Sequence, residues 1–427
     1  MPSETATDRK FGTNVLWNMA SLGFLAFAGL LLNFVIARFY GASALGLFNI
    51  VFALYIFLSQ LGVLGIHFSV LRYVSEHATS EPEKAAQSVT GALMLVTAVS
   101  TAVTVAAVLA TPLVRWIYPI EGITTAWLAI LPGLWCFSIN KVLLAVLNGA
   151  EYMRAFAVLQ ALRYIFILLA LGCVLVIRPA AEWIVFVISA AEVLLLLVLA
   201  GVVHTIFPNL DWRGGRNWIR THLDFGLRVF LSGTIGELNT RIDVLILGSM
   251  LDSTRAGIYS VALLLAEGFA QAIVVMRNNI NPVITRDLLG GDVEAFTRFA
   301  RRISGFFALF MLVAGTLLVA GFALTVTWLL PDAKFELAIV PLAILIAGLV
   351  LASAYMPFGM ILSQSGRPFE QTLFAGAVLG SNAVLNILLI PPLGITGAAL
   401  GTSLSYVVTA VLLIFIMRRV YGIKIWV

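Results

Sequence analysis

Apolar runs of about twenty residues or more follow one another along nearly the whole chain, and that succession decides the fold class. Of 427 residues, 61% are hydrophobic and 11% charged, where a soluble domain has about 45–50% and about 25%. The runs are continuous and do not alternate, so they predict spanning helices and not barrel strands. The expected cores are Thr13–Ala37, Ala44–Leu71, Ala85–Ala110, Thr124–Leu147, Ala155–Ile177 and Glu182–His204, then Leu223–Leu251, Gly257–Asn281, Phe299–Leu330, Leu337–Ser363, Gln371–Ile390 and Ile395–Met417. The expectation is an all-α integral membrane protein of about twelve transmembrane helices. The polar connection from His204 to Leu223 divides it into residues 1–210 and 211–427, six helices in each.

The halves carry a common pattern. Gly41-Ala-Ser-Ala-Leu-Gly46-Leu-Phe48 opens one run, and Asp252-Ser-Thr-Arg-Ala-Gly257-Ile-Tyr259 opens another, 211 positions later. At that offset Asn49 falls on Ser260, Gln60 on Gln271 and His67 on Asn278. Repeats of this kind mark transporters built from two related bundles.

At 100° per residue, Asn49, Gln60 and His67 fall on one helical line, and Ser260, Gln271 and Asn278 on its counterpart, with Glu267 one turn before Gln271. Thr234, Glu237 and Arg241 share a face of the seventh span, and Asn14, Asn18 and Ser21 a face of the first. These lines point to two pseudo-symmetric six-helix lobes with a central cavity lined by spans one, two, seven and eight. A charge in the bilayer centre costs about 2.5–3.5 kcal/mol on insertion scales, which places Arg241, Glu237 and Glu267 towards that cavity. For the Asn, Ser and Thr residues, hydrogen-bonded packing between helices is the plainer account. Glu237 and Arg241 are spaced for an i, i+4 ion pair, and Asp243, about 200° away from Arg241, is expected on a neighbouring helix. Lys141, Arg163 and Arg277 lie near the cytoplasmic ends of their spans, snorkelling or drawing phosphate to the inner mouth. His67 is read as a packing histidine or as a proton-coupling group.

Lysine and arginine set the orientation. Arg9, Lys10, Arg72, Lys84, Arg154, Arg213, Arg216, Arg220, Arg228, Arg286, Arg298, Arg301, Arg302, Arg367, Arg418, Arg419 and Lys424 fall on the side of the termini, against Arg38, Arg115, Arg178, Arg255 and Lys334 on the other. Both termini are therefore expected in the cytoplasm. The first twelve residues are short and polar, and the first span is expected to be retained. Trp212–Arg228 and Thr285–Arg302 read either as amphipathic surface helices or as positive-inside loops. The net charge of +5 follows from topology and does not suggest nucleic acid. Cys136 and Cys173 sit inside apolar runs, with no disulfide framework and no metal-ligand spacing. No outer loop is long enough to hold an acceptor, and no paired carboxylates form a catalytic motif, so an enzyme is not expected.

Ala37-Arg38-Phe39-Tyr40-Gly41 with Leu45-Gly46-Leu47-Phe48, Leu61-Gly62-Val63-Leu64-Gly65 running into Leu71-Arg72-Tyr73-Val74, Ser365-Gly366-Arg367, and Leu385-Asn386-Ile387-Leu388-Leu389-Ile390-Pro391 followed by Gly394-Ile395-Thr396-Gly397-Ala398-Ala399 occur in this order. Together they resemble the polysaccharide transporters of the O-antigen flippase type, in the multidrug/oligosaccharidyl-lipid/polysaccharide exporter superfamily. The resemblance implies two lobes forming a V that opens alternately inward and outward in a bacterial-type inner membrane. It implies a substrate carried on an undecaprenyl pyrophosphate-type lipid, and membrane lipids, a polysaccharide polymerase and chain-length proteins as partners. No cofactor is implied, and protons or sodium ions are the candidate coupling ions. The alternatives are a multidrug or cation antiporter of the same superfamily and a lipid-linked peptidoglycan precursor flippase. The latter is disfavoured because Leu22–Ile36 carries no charge.

Overall fold

Every regular element is helical among the residues described by this computed structural model, which are 4–289 and 293–423. The side chains of residues 4–24, Ala26, Ser232 and Leu289 fall outside that description, so the line Asn14, Asn18 and Ser21 lies beyond it. In chain order the helices are α1 (Glu4–Val63), α2 (Ile66–His77), α3 (Pro82–Leu109), α4 (Thr111–Ile117), α5 (Ile123–Gly149), α6 (Met153–Ile177), α7 (Phe186–Ile206), α8 (Trp212–Asn239), α9 (Ile242–Met250), α10 (Ser253–Leu289), α11 (Val293–Leu329), α12 (Ile339–Ala352), α13 (Ile361–Gln364) and α14 (Pro368–Tyr421).

Nine of the described helical stretches are long and apolar enough to cross a bilayer. Two of them each hold a pair of the expected spans. A helix rises 1.5 Å per residue, so the 60 residues of α1 would reach about 90 Å if straight, three times the hydrocarbon thickness. The chain turns at Gly41 (φ 80°, ψ −177°), a left-handed conformation that only glycine adopts without strain. The 54 residues of α14 turn likewise at Gly394 (φ 59°, ψ −134°). Just after the turn, a Cβ on Gly397 would fall on the Leu389 carbonyl, and Gly401 lies against Asn386. The two arms of α14 thus pack side by side. The seventh expected span is divided between α8 and α9, which break at Thr240–Arg241.

The repeated motif proves to be a contact. A Cβ on Gly46 would fall on the Ser253 carbonyl oxygen, and one on Gly257 would fall on that of Ala42. The 211-residue offset carries Ala42 onto Ser253 and Gly46 onto Gly257, so the two contacts exchange under it. This is the self-complementary arrangement of a two-fold axis, here within one chain. Small residues four apart on each helix let the backbones touch, and the Ser43 and Ser253 hydroxyls meet at 2.8 Å. Deeper in each unit a glycine again rests on a serine, though not at the 211-residue offset. Gly133 of α5 rests on Ser189 of α7, and Gly348 of α12 rests on Ser403 of α14.

Contacts divide the chain into two compact units. One comprises residues up to Phe39 with Ile50–Thr234, the other Tyr40–Asn49 with Ile235–Val427. The first therefore extends past residue 210, because the front of α8 is anchored to α2 and α3. His222 is fully buried. Its Nε2 donates to the Ser88 carbonyl at 2.9 Å, which leaves Nδ1 to accept from the Ser69 hydroxyl at 2.8 Å. Gly215 meets Gly91, and Gly226 meets Gly65. Asp211 caps the helix by accepting from the Gly214 and Arg213 amides, and from Gln87 at 3.0 Å. The Gly214 amide first, then Gln87, hold the Asp211 carboxyl below the usual carboxylate range. Trp212–Arg228 is thus neither a loop nor a separate helix but the docked first half of α8. Of the segment Thr285–Arg302, the described residues 285–289 end α10 and 293–302 begin α11.

Candidate functional site

The side chains expected to line a cavity separate into two clusters, one in each unit. In the first unit Glu192 of α7 is buried. Its carboxylate lies 2.8 Å from Arg163 Nε of α6 and accepts from Asn140 Nδ2 of α5 at 2.9 Å. The Arg163 guanidinium stacks over the Phe137 ring, 4.8 Å from its centroid. Lys141 Nζ approaches the same ring and donates to Gln60 Oε1 at 3.3 Å. Arg163 and Lys141 therefore engage α7 and α1 and do not form a bare phosphate-attracting rim. A carboxylate this deep needs its cation and its amide donor, because taking charge out of water is costly unless the geometry is good.

In the second unit a cavity of about 360 Å³ opens at the α8–α9 break. Asn239, Thr240, Arg241 and Asp243 come from the break, Leu263, Glu267, Ala270, Gln271 and Val274 from α10, and Asn382, Thr402 and Tyr406 from α14. Arg241 Nη2 lies 3.6 Å from Glu267 Oε2. Asp243 Oδ2 accepts from the Tyr259 hydroxyl at 2.6 Å and from Thr402 Oγ1 at 3.3 Å, while Oδ1 takes the Val244 amide at 2.8 Å. Asn386 donates to Asn382 Oδ1, and Asn382 reaches Asn239. A broken helix opening onto polar side chains is how a membrane bundle builds a binding site, since irregular backbone is tolerated there only beside a cavity or protein.

The structure therefore brings Arg241, Glu267 and Gln271 together and places Asp243 against two neighbouring helices. It does not keep Glu237 with them. Glu237 is exposed, and Thr240 Oγ1 caps its carbonyl at 2.8 Å. The i, i+4 pair with Arg241 does not form, because α8 ends at Asn239 and the two residues no longer share a helix. Asn278 is exposed on α10 and does not line the cavity. The line Asn49–Gln60–His67 is also broken. Asn49 is buried and donates to its own helix at the Leu45 carbonyl, 3.1 Å away. His67 lies on α2, past the left-handed residues Leu64 and Gly65, with its ring on Phe68. Gln60 belongs to the first unit and Gln271 to the second.

Tyr259, Asn382, Thr402 and Tyr406 are not among the residues that the sequence pattern singles out for a site. Asn382 and Asn386 stand one turn apart in an apolar run, a signal that is present and is easily taken for helix punctuation. Tyr259 shows only as part of the repeat.

A family profile described as polysaccharide biosynthesis protein matches residues 11–286. No curated protein sequence matches the chain. Among solved structures, a lipid II flippase, MurJ, in an inward-closed conformation superposes with a TM-score of 0.74 at 15% identity, covering 94% of this chain and 87% of that one. An inward-facing multidrug resistance MATE family transporter of the MOP superfamily gives 0.73 at 15% identity, over 90% and 92%. An outward-facing multidrug resistance MATE family transporter of the same superfamily gives 0.62 at 16% identity, over 96% and 95%. At such identities the likeness shows the fold, that of MOP-superfamily transporters.

Proposed function

Since the chain belongs to the polysaccharide biosynthesis protein family, we propose that it is a flippase that moves a lipid-linked oligosaccharide or polysaccharide repeat unit from the cytoplasmic to the outer leaflet by alternating access. The observation that carries this reading is the cavity with polar side chains at the α8–α9 break, inside a chain whose described helices are mostly long and apolar enough to span. A glycan head group cannot enter hydrocarbon bare, since each unsatisfied polar group costs several kcal/mol. A polar cavity in a spanning bundle replaces water for that head group while the lipid tail stays in the bilayer. A carrier on undecaprenyl pyrophosphate in a bacterial-type inner membrane, with a polymerase and chain-length proteins downstream, completes the proposal. Protons or sodium ions would act at the cavity carboxylates Asp243 and Glu267.

Arg241→Ala is expected to abolish glycan export at normal protein level in the membrane, because it removes the cation that orients Glu267. If the pair served packing alone, Arg241→Ala with Glu267→Ala would restore export, neither partner being left unpaired. Recovery in that double variant would retire the transport role, and persistent loss supports it. Efflux of a cationic dye should be unaffected by deletion of the chain, and dye efflux that depends on it would favour an antiporter.

Orientation has its own test. In a background lacking Cys136 and Cys173, cysteines at Asp252 or Lys334 should react with an impermeant thiol reagent in intact cells, and cysteines at Ser80 or Arg367 should not. The reverse pattern would overturn cytoplasmic termini.

A further inference from the structure

The charge around the second unit's cavity does not suit a pyrophosphate. One guanidinium, Arg241, faces two carboxylates, Glu267 and Asp243. Asp243 is held by Tyr259 and Thr402, and Arg241 is engaged by Glu267. A phosphate entering here would meet carboxylate oxygens as readily as the cation, and like charges set together cost several kcal/mol. The remaining wall has different chemistry. Asn239 and Gln271 present amides that both donate and accept, Asn239 being held from behind by the buried Asn382, and Thr240 adds a hydroxyl. Leu263, Val274 and the Tyr406 ring supply apolar surface. Vicinal hydroxyls above a C–H face are the groups such a wall matches. Glu267 Oε1 is buried and has no hydrogen-bond partner among the described residues. A buried acceptor without a donor is costly, and an incoming hydroxyl or ammonium would satisfy it.

We propose that this cavity is the sugar subsite of the carrier, taking one or two pyranose residues that are uncharged or bear an amino group, and rejecting both uronic acids and the pyrophosphate. The volume of about 360 Å³ is at the small end of ligand sites, roughly 300–1,000 Å³, and holds a short stretch of glycan and not a whole repeat. The proposal rests on the flippase reading and narrows it to the part of the substrate held here.

The test uses saturation-transfer NMR on the purified full chain in detergent, with glucosamine, N-acetylglucosamine and glucuronate as observed probes and inorganic pyrophosphate, which carries no C–H proton, as a competitor of the N-acetylglucosamine signal. Glucosamine and N-acetylglucosamine should bind. Glucuronate and pyrophosphate should compete at least about tenfold more weakly, a difference of about 1.4 kcal/mol. Glu267→Gln should remove the preference for glucosamine and leave N-acetylglucosamine binding, and Tyr406→Ala should weaken both sugars. Tyr406→Phe, which keeps the ring, should bind as the parent does, and a monodisperse Tyr406→Ala with the parent's thermal unfolding separates loss of the ring from loss of the fold. Pyrophosphate or glucuronate binding as tightly as the neutral sugar, sugar signals indifferent to both Tyr406→Ala and Glu267→Gln, or no binding by a monodisperse protein each overturn the subsite. Failure of the flippase reading looks different. It would show as glycan export that persists without the chain, whatever the order of sugar affinities.

Discussion

Replacing Gly46 or Gly257 with valine will destabilise the protein by more than about 4 kcal/mol, the upper end for point substitutions. Overpacking against side chains costs about 1–3 kcal/mol because rotamers can yield. Here the atoms met are the backbone carbonyls of Ser253 and Ala42, which cannot yield without moving a helix. The relation between the sites makes the prediction sharper. Because the contacts exchange under the 211-residue repeat, the two single variants should lose comparable stability, and the double variant should lose less than their sum. Gly29→Ala and Gly376→Ala are the controls, since a Cβ at either meets nothing and alanine favours helix. Thermal unfolding in detergent reads the effect, and Gly46→Val as stable as Gly376→Ala would refute it.

Removing either member of the Arg163–Glu192 pair is the second large effect. Glu192→Ala leaves a guanidinium beside Phe137 without its carboxylate, and Arg163→Ala leaves a buried carboxylate with only Asn140. Each should cost about 3–5 kcal/mol, the usual penalty for an uncompensated buried charge. Glu192→Gln should cost less, because its amide oxygen still accepts from Asn140. Arg163→Met combined with Glu192→Leu should recover most of the loss, since well-packed apolar residues often replace a buried pair at little cost. Chemical denaturation of the detergent-solubilised protein, read as the difference between single and double variants, decides it. A double variant no better than the singles would show that the pair has a role besides mutual neutralisation.

What the sequence discloses and what it hides follow from the range of the interactions involved. Spans are local properties of about twenty residues, so the apolar runs place most helices near their observed positions. The turns at Gly41 and Gly394 fall between expected spans for the same reason. The 211-residue offset is a property of the chain alone, and it marks the Gly46–Gly257 crossing even though the contact joins distant segments. Faces depend on more than the chain. Projecting Glu237 and Arg241, or Gln60 and His67, onto one helical line assumes an unbroken helix, and Thr240–Arg241 and Leu64–Gly65 interrupt it. No residue type at Thr240 announces the break. The partners of Arg241 and Arg163 are equally invisible to spacing, because Glu267 and Glu192 lie on other helices. Arg241, Glu267 and Gln271 are identifiable as polar residues too costly to face lipid, and which carboxylate answers Arg241 is not. His222 escapes notice because it borders a basic stretch that reads as a solvated loop, yet it is fully buried.

The side-by-side arms of α14 bear on how the protein is made. The first arm carries Asn382 and Asn386, both buried in the finished fold, and two side-chain amides are poor company for lipid. Pro391 and Pro392, just before the Gly394 turn, bring no backbone N–H that would need a partner there. Inserted as one unit, this stretch would form a hairpin whose second arm supplies Gly397 and Gly401 against Leu389 and Asn386. Lateral release as a pair, and not span by span, would let Asn386 leave the insertion channel already covered by its own continuation. On that view the tight turn serves biogenesis as much as the finished fold.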